Sequence, residues 1–451
     1  IILLNIKMTS RYLELAPTNK TTDGKYAHKN GVASLNFSIP EGNYVLDPAS
    51  VRICGDVQFF TDADKTSPAA GFTGQLGINT RLGVYSCFDQ LIWRSSKHQT
   101  TISHERNWNR WLSSYLSQTA SKEDSLTHLG QSSLTMPNWE VGKRSVVDKD
   151  VGNSFAVHLP CGLLNSGQSI PLTGNTLGGL DLSIMLASDA QALQVLPADI
   201  TTPPAIANFL GAHYELSNVK LVCSVITPPI DQLTKLLKQT SGGITYQSIH
   251  SFYDTANSSN IQVSMNLALS KVKSLFINII ESSKLQNLAE DSFATICPVN
   301  SGGTLASIKN IAWLRGGTTY PKLFPHDTNF KETPTVIVSD PDIQRDYINS
   351  ITNFNKARNS QGSLANTNRN YRAVAGGISI PYQFVNDSGV VWGLGVNYEN
   401  YLGGAGVDFR RELFGLALDV DLTTNASQSL FIFANAESNI LWNQNGIQLL
   451  H

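Results

Sequence analysis

A two-residue hydrophobic period is the feature that most constrains how this chain folds. Apolar residues alternate with polar ones at 33–39, 51–59, 180–186, 219–225, 261–269 and 414–422. Successive side chains of a β-strand point to opposite faces, so each run predicts a strand with one buried face. Long segments rich in Gly, Ser, Asn and Pro separate the runs, which favours antiparallel sandwiches over β-α-β units.

Three segments carry a helical period instead. Residues 105–116 place four apolar side chains at three- and four-residue spacing, which predicts one apolar stripe. Residues 229–239 carry an acidic residue near their start and lysines near their end, as the helix dipole favours. A third helix is predicted at 341–357, capped by Ser339 or Asp340. Helices are therefore expected only in the connections between strands.

The length of 451 residues exceeds what one hydrophobic core usually supports, so two β-domains of about 200 residues are expected. The helix at 229–239 lies near the midpoint and is interpreted as a connector. We predict an N-terminal arm at 1–29, a first domain at 30–228, a connector at 229–243 and a second domain at 244–451. The arm is too polar to build its own core, so we expect contacts with other chains to order it.

The charge of the chain gives no sign of a nucleic-acid partner or of disorder. It holds 33 Lys and Arg against 35 Asp and Glu, a net charge of −2. The basic pairs Lys143-Arg144 and Arg410-Arg411 are isolated and are interpreted as solvated. Only 15% of residues are charged, against roughly 25% in average soluble domains. A low-charge exterior suits a protein that covers much of its surface with copies of itself.

Cysteine usage indicates free thiols. The five cysteines are odd in number, lie far apart and include no C-x-x-C, so neither a disulfide framework nor a zinc knuckle is indicated. Buried thiols in a reducing compartment are expected. The opening Ile-Ile-Leu-Leu lacks a preceding cationic segment and does not resemble a secretion signal, and Met8 is a plausible natural start. The cysteines are Cys54, Cys87, Cys161, Cys223 and Cys297.

A search for catalytic patterns finds none. The sequence contains no G-x-S-x-G, H-E-x-x-H or P-loop. The glycines within 393–406 lack the strand–turn–helix context of a dinucleotide loop and are interpreted as a loop between strands. His98 and His104, beside Glu105, are interpreted as a surface pair. No catalytic, cofactor-binding or metal-ligating residue is therefore assigned.

Two further groups have a structural interpretation that we prefer to a binding role. Asp340, Asp342 and Asp346 are spaced as in the first turn of a helix, which fits them better than a calcium loop does. Trp108 and Trp111 stand at helical spacing, so they are expected in a core and not on a sugar-binding platform.

Five segments carry strand and turn patterns that, taken together, resemble one protein family. Residues 83–116 join an apolar strand to an Ile-x-x-Glu element and an aromatic helix, and residues 159–187 contain Ile-Pro-Leu and Gly-Gly-Leu turns. Residues 214–229 form a closing strand, 311–325 a strand with a Gly turn and Tyr-Pro, and 414–441 a final strand pair. Together they resemble the double jelly-roll major capsid proteins of polinton-like viruses, virophages and nucleocytoplasmic large DNA viruses.

The resemblance implies an all-β chain of two tandem eight-stranded antiparallel jelly rolls with a few short helices in connections. It implies a structural protein, not an enzyme, whose homotrimers form pseudo-hexameric capsomers that tile an icosahedral shell around double-stranded DNA. The implied partners are neighbouring capsomers, penton proteins and minor capsid proteins, with no cofactor and no sequence-specific nucleic-acid binding. The implied location is the virion capsid, assembled inside the host cell.

Other classes of function stay open on the sequence. A tandem β-sandwich that binds or processes carbohydrate, or an adhesive secreted β-protein, would show the same strand period. Size-exclusion chromatography separates the classes, because the capsid protein is expected as a trimer and most lectin modules as monomers.

Overall fold

The structure is a computed structural model. It describes residues 9–30, 33–61, 74–79, 82–119, 153–197, 209–239, 243–258, 260–293, 307–320, 332–333, 336–337, 394–399, 406–421, 427–443 and 446–450.

Antiparallel strands dominate the described residues. The strands of the N-terminal half are β1 (Thr9–Leu15), β2 (Lys25–Tyr26), β3 (Ser34–Ile39), β4 (Val45–Phe60), β5 (Gly74–Ile78), β6 (Phe88–Ser95), β7 (Thr101–Glu105), β8 (Asn153–His158), β9 (Ile170–Pro171), β10 (Leu180–Leu186), β11 (Leu193–Pro197) and β12 (His213–Thr227). Those of the C-terminal half are β13 (Ile244–Ala256), β14 (Asn260–Met265), β15 (Val272–Glu281), β16 (Ser307–Arg315), β17 (Thr318–Thr319), β18 (Glu332–Thr333), β19 (Val336–Ile337), β20 (Leu394–Asn397), β21 (Phe414–Asp421), β22 (Gln428–Asn443) and β23 (Gly446–Leu450).

In the described part of the chain, helices occur only between strands, as the sequence predicts. The α-helices are α1 (Trp108–Thr119), α2 (Asp189–Ala192) and α3 (Ile230–Gln239), and short 3-10 turns lie at His28–Asn30, Gly83–Cys87, Leu164–Ser166 and Ser282–Lys284.

Two four-stranded sheets form a sandwich in the N-terminal half. One has the order β1-β12-β4-β8 and the other the order β3-β10-β6-β7. Numbered along the chain, these eight strands pair as 1-8-3-6 and 2-7-4-5, which is the strand order of a jelly roll. The small strands β2 and β9 extend the first sheet, and β5 pairs with β11. We call this unit the first roll.

The C-terminal half repeats the same order. Its sheets are β13-β22-β15-β20 and β14-β21-β16-β17, which again pair as 1-8-3-6 and 2-7-4-5. The strand β23 adds to β22, and β18 pairs with β19. We call this unit the second roll; α3 joins the two rolls. The prediction of two tandem eight-stranded antiparallel jelly rolls is confirmed.

Strand β1 corrects the prediction about the N-terminal arm. Residues 9–15, inside the segment predicted as an arm at 1–29, are the first strand of the first roll. They pair with β12 from Thr9↔Thr227 to Leu15↔Leu221, and Leu13 and Leu15 pack on the core. The expectation that only other chains order the arm is wrong for these residues, because it counted apolar side chains and ignored the main-chain hydrogen bonds that a sheet edge offers.

Two other predictions differ in detail from the structure. The first helix begins at Trp108 and not at residue 105, because Glu105 ends β7 and Asn107 adopts a positive φ of 51° between them. The strand β5 lies at 74–78, inside a segment that the sequence analysis treats as connection. The predicted helix at 341–357 lies outside the described residues.

The core of the first roll follows the two-residue period. In β10 the even-numbered residues from Leu180 to Leu186 are buried and the odd-numbered ones half-buried. One continuous apolar cluster fills the first roll and extends to Phe276, Phe431 and Phe433 of the second roll, whereas a second cluster fills the interior of the second roll. The contact between the rolls is therefore part of the hydrophobic core.

Candidate assembly surface

The outer face of the β13-β22-β15-β20 sheet is apolar, although the outer face of a sandwich ordinarily contacts water. Side chains of β15 alternate between two cores: Leu275 and Ile277 pack inside the second roll, and Phe276 and Ile280 pack toward the first roll. We call the buried part of this outer face the seam face; Tyr253, opposite Phe431, lies beyond it and is 53% exposed. The residues of the seam face are Ile249, Phe276, Asn278, Ile280, Phe431, Phe433 and Asn435.

Helix α1 of the first roll covers the seam face. It lies in the connection between β7 and β8. Its apolar stripe, including Trp108 and Leu112, packs into the first roll, where Trp108 Nε1 donates a hydrogen bond to Pro160 O at 2.8 Å. With that stripe directed inward, α1 presents Arg110 and Ser114 to the second roll.

Arg110 is a buried cation between the two rolls. Its guanidinium carbon lies 4.4 Å from the ring centroid of Phe431 and 5.1 Å from that of Phe293, and Nη1 donates to Ser292 O at 2.6 Å. Burial lowers the pKa of Arg110 to about 10, a shift that nearby acidic residues oppose, so the side chain stays charged at neutral pH. Aromatic faces and a carbonyl replace its water.

Two buried hydrogen bonds between side chains also join the rolls. Ser114 Oγ donates to Asn278 Oδ1 at 3.0 Å, and Asn79 Nδ2 donates to Asp291 Oδ1 at 2.8 Å. A buried polar group without a partner is costly, so these bonds favour one relative position of the two rolls.

The edge strand β13 of the second roll is covered as well. Tyr246 Oη donates to Ile102 O at 2.8 Å, and Asn107 Nδ2 donates to Ser251 Oγ at 3.0 Å. Both bonds reach from β13 to β7 or the turn after it. The first roll therefore covers both the face and the edge of this sheet.

Gly162 lets the two backbones approach closely beside β13. A Cβ at this position would lie 2.0 Å from Gln247 O, where no side chain fits. A cleft of about 390 Å³ opens next to this contact. It is lined by Trp111, Tyr115, Gly162, Asn165, Gln247, Ile249 and Asn435, and the rings of Trp111 and Tyr115 stack at 4.8 Å.

The equivalent sheet of the first roll has a different outer face. Strand order makes β1, β12, β4 and β8 the counterparts of β13, β22, β15 and β20. The outward residues Val45, Phe60, His213 and Glu215, at the ends of β4 and β12, are buried, whereas those between them are exposed or half-buried. The side chain of Tyr12 is 78% exposed. We call the exposed and half-buried part of this surface the open face; its residues include Tyr12, Glu14, Asp47, Arg52, Cys54, Asp56, Ser154, Ala156, His158, Lys220, Val222, Ser224 and Ile226.

The open face is nearly balanced in charge. Lys220 Nζ lies 3.0 Å from Glu14 Oε2, and Arg52 and Asp56 lie on the same face of β4, four residues apart. Two cations and three anions, the third being Asp47, share the face with neutral residues. Such a surface suits contact with another neutral surface better than contact with a highly charged polymer.

The structure separates the histidine and glutamate residues that the sequence analysis groups together. His98 is half-buried in the turn before β7, and His104 Nε2 lies 2.9 Å from Gln90 Oε1. Glu105 is only 1% exposed and accepts a hydrogen bond from Gly162 N–H at 2.8 Å. The two histidines interpreted as a surface pair are both half-buried, and the alternation of β7 directs Glu105, beside them, inward.

The expected positions of the cysteines and tryptophans are confirmed where the structure describes them. Cys87, Cys161 and Cys223 are buried free thiols, and Cys54 is a half-buried free thiol on the open face. Trp108 and Trp111 are buried in the first core. Cys297 lies outside the described residues.

The remaining candidates stand apart from the seam. Gly395 lies within β20, so the interpretation of 393–406 as a loop between strands is wrong at residues 394–397. Arg410 pairs with Asp408 at 2.5 Å, and Arg411 is exposed. The pair Lys143-Arg144 and the three aspartates at 340, 342 and 346 lie outside the described residues.

The sequence analysis missed the seam face, although a signal for it is present. Residues 272–280 and 430–436 are nearly continuous apolar runs, and such runs are typical of strands buried on both faces. Arg110 carries no comparable signal, because a single arginine on an amphipathic helix is ordinarily solvated.

The described residues contain no group of three or more His, Cys, Asp or Glu side chains arranged to hold a metal ion. None of their helices combines the length and the hydropathy needed to cross a membrane.

Comparison with solved structures identifies the fold. The Faustovirus major capsid protein superposes with a TM-score of 0.56 at 10% identity, over 100% of this chain and 92% of that chain. A chain from the Sputnik virophage structure gives 0.57 at 10% identity, over 98% and 88%. The mavirus major capsid protein gives 0.50 at 10% identity, over 99% and 93%. No family model and no curated protein sequence matches this chain.

Proposed function

We propose that this chain is the major capsid protein of a viral particle and that its copies associate through the open face. The observation that carries the proposal is a difference between two equivalent sheets. The seam face of the second roll is covered within the chain, whereas the open face of the first roll has no cover among the described residues. The similarity of fold to viral capsid proteins along the whole chain supports the same role.

The repeat of one fold within the chain suggests how copies would meet. The first roll covers the 1-8-3-6 sheet of the second roll. If the second roll covers the same sheet of the next copy, the contact is head-to-tail, and such contacts close into rings when the rotation permits. Three chains then supply six similar rolls, which gives a homotrimer of pseudo-hexameric outline.

The proposal includes the division of the chain into two structural domains. The first roll and the second roll are the domains, and α3 is the connector. Because β1 belongs to the first roll, the first domain begins within the segment predicted as an arm. The connection between strands five and six of the first roll carries α1. In the second roll that connection includes residues 341–357, where the sequence predicts a helix.

We further propose that the trimers are capsomers that tile an icosahedral shell around double-stranded DNA, assembled inside the host cell. Partners would be neighbouring capsomers, penton proteins and minor capsid proteins. The net charge of −2 supports a shell that does not itself condense the genome. No catalytic activity and no cofactor are proposed.

The two tryptophans that could have formed a carbohydrate-binding platform are buried in the structure. Trp108 and Trp111 have 1% and 6% of their surface exposed, so neither forms an open platform for a sugar ring. We therefore do not propose that function.

The mass of the purified protein in solution tests the proposal. We expect light scattering to give three times the chain mass of 49.1 kDa. The double variant Tyr12→Glu/Ile226→Glu places two like charges on the open face, and we expect it to be a folded monomer, because a charge buried without a partner is costly.

A matched control adds the same charge elsewhere. Leu210 and Ile230 are 82% and 81% exposed and lie outside the open face, so Leu210→Glu/Ile230→Glu should remain a trimer. A wild-type monomer, or dissociation of both double variants alike, would contradict the role of the open face.

A further inference from the structure

Glu105 occupies the point where three parts of the molecule meet at the seam. It ends β7, its Oε1 accepts hydrogen bonds from Gly162 N–H at 2.8 Å and Ser103 Oγ at 3.3 Å, and Gly162 presses against β13 at Gln247. The carboxyl group therefore fixes the segment that carries the closest backbone contact between the rolls.

The second oxygen of this carboxyl group is buried. Glu105 Oε2 makes no hydrogen bond to any of the described residues. The titratable groups that face it are Cys161, from the connection after β8, and Tyr246, from β13. Burial raises the pKa of both groups, so both are neutral at neutral pH, and β6 places Leu91 opposite Glu105.

We propose that Glu105 is a protonation switch for the seam between the two rolls. The carboxyl group is neutral when the rolls are locked together. Loss of its proton to solvent leaves a buried carboxylate with two hydrogen bonds and no cation among the described residues beside it. That charge draws water toward Gly162 and weakens the contact with β13.

The direction of the pH dependence follows from burial. Burial raises the pKa of Glu105 to about 8, against an ordinary value of 4.5, although the bonds from Gly162 and Ser103 oppose the shift. Between these values the folded protein holds a proton that the unfolded chain has lost. Stability conferred by Glu105 is therefore complete below pH 4.5, falls as the pH rises toward 8, and stays constant above that value.

The variant Glu105→Gln tests the switch, because glutamine keeps the acceptor oxygen and cannot ionise. The quantity to follow is the ratio of two unfolding equilibrium constants, that of the wild type over that of Glu105→Gln. We expect this ratio to rise by up to about tenfold per pH unit between pH 5 and pH 8. Urea denaturation at fixed protein concentration measures it. Glu412→Gln, on an exposed ion pair outside the open face, is the matched control and should leave the slope of the wild type unchanged.

A second measurement locates the effect at the seam. Alkylation of Cys161, followed by mass spectrometry, should accelerate between pH 6 and pH 9 more in the wild type than in Glu105→Gln. Ionisation of the thiol works against this result, because the Glu105 carboxylate raises the pKa of Cys161 and would slow alkylation in the wild type. Cys87 is buried elsewhere in the first roll and should show no such difference.

The wild type alone is also informative if Glu105→Gln does not fold. The alkylation rate of Cys161 relative to Cys87 should then rise with pH in the wild type. A ratio that is constant between pH 6 and pH 9, or a stability slope that is the same in Glu105→Gln and the wild type, would overturn the proposal. Failure of the capsid role would not affect this test, since the seam lies within one chain.

Discussion

The two rolls share one strand order and differ in what covers the same sheet. In the second roll, β15 and β22 send Phe276, Phe431 and Phe433 outward, and α1 of the first roll buries them. In the first roll, β4 and β12 send Arg52 and Lys220 outward, and both are exposed. The strand order therefore determines the architecture of each sandwich. The outward residues, at alternate positions of each strand, determine which sheet is covered within the chain and which is available to a partner.

The largest expected effect is the difference between two alanine substitutions, one on the seam face and one on the corresponding strand of the open face. Phe276→Ala removes a fully buried ring from the seam face and should lower the free energy of unfolding by about 3–5 kcal/mol. Arg52→Ala, on the corresponding strand of the open face, should change it by less than about 0.5 kcal/mol in a monomeric background. Urea denaturation of both variants in the Tyr12→Glu/Ile226→Glu background checks the difference. Equal effects would show that the two faces do not differ in burial.

A smaller effect is expected where the backbones approach each other. Gly162→Ala places a Cβ against Gln247 O and should lower the free energy of unfolding by about 1–3 kcal/mol, as overpacking in cores does. Thermal denaturation at fixed concentration measures it. Gly24 and Gly167 are unsuitable controls because both have positive φ. Ser264→Ala, at an exposed position of β14, serves instead, with an expected change below about 0.5 kcal/mol. An unchanged midpoint for Gly162→Ala would show that the seam opens easily there.

The sequence predicts the sandwich well because the two-residue period is a local property. Strands such as β3 and β10 match their predicted runs, and α3 begins one residue after its predicted start. It predicts the assembly surface poorly, because burial of β1 depends on β12, more than 200 residues away. The role of Arg110 is equally non-local, since Phe293 and Phe431 reach it only after both rolls fold.

The smallest expected effect is that of salt on the proposed trimer. Exposed ion pairs such as Glu14–Lys220 contribute on the order of 0–1 kcal/mol, and the numbers of cations and anions on the open face differ by one. Raising NaCl to about 1 M, where the Debye length is about 3 Å, should leave the mass measured by light scattering unchanged, whereas urea should reduce it. Dissociation by salt alone would show that charge, and not neutral contact area, joins the copies.

Cys54 provides the most direct test of the central claim, that the open face is covered by another copy. Its half-buried thiol lies on β4 within that face. We would measure its alkylation rate by mass spectrometry in the wild type and in Tyr12→Glu/Ile226→Glu at the same pH. The account predicts a protected Cys54 in the wild-type oligomer and a reactive one in the monomeric variant, while Cys87 stays unreactive in both. Equal reactivity of Cys54 in the two proteins would contradict it.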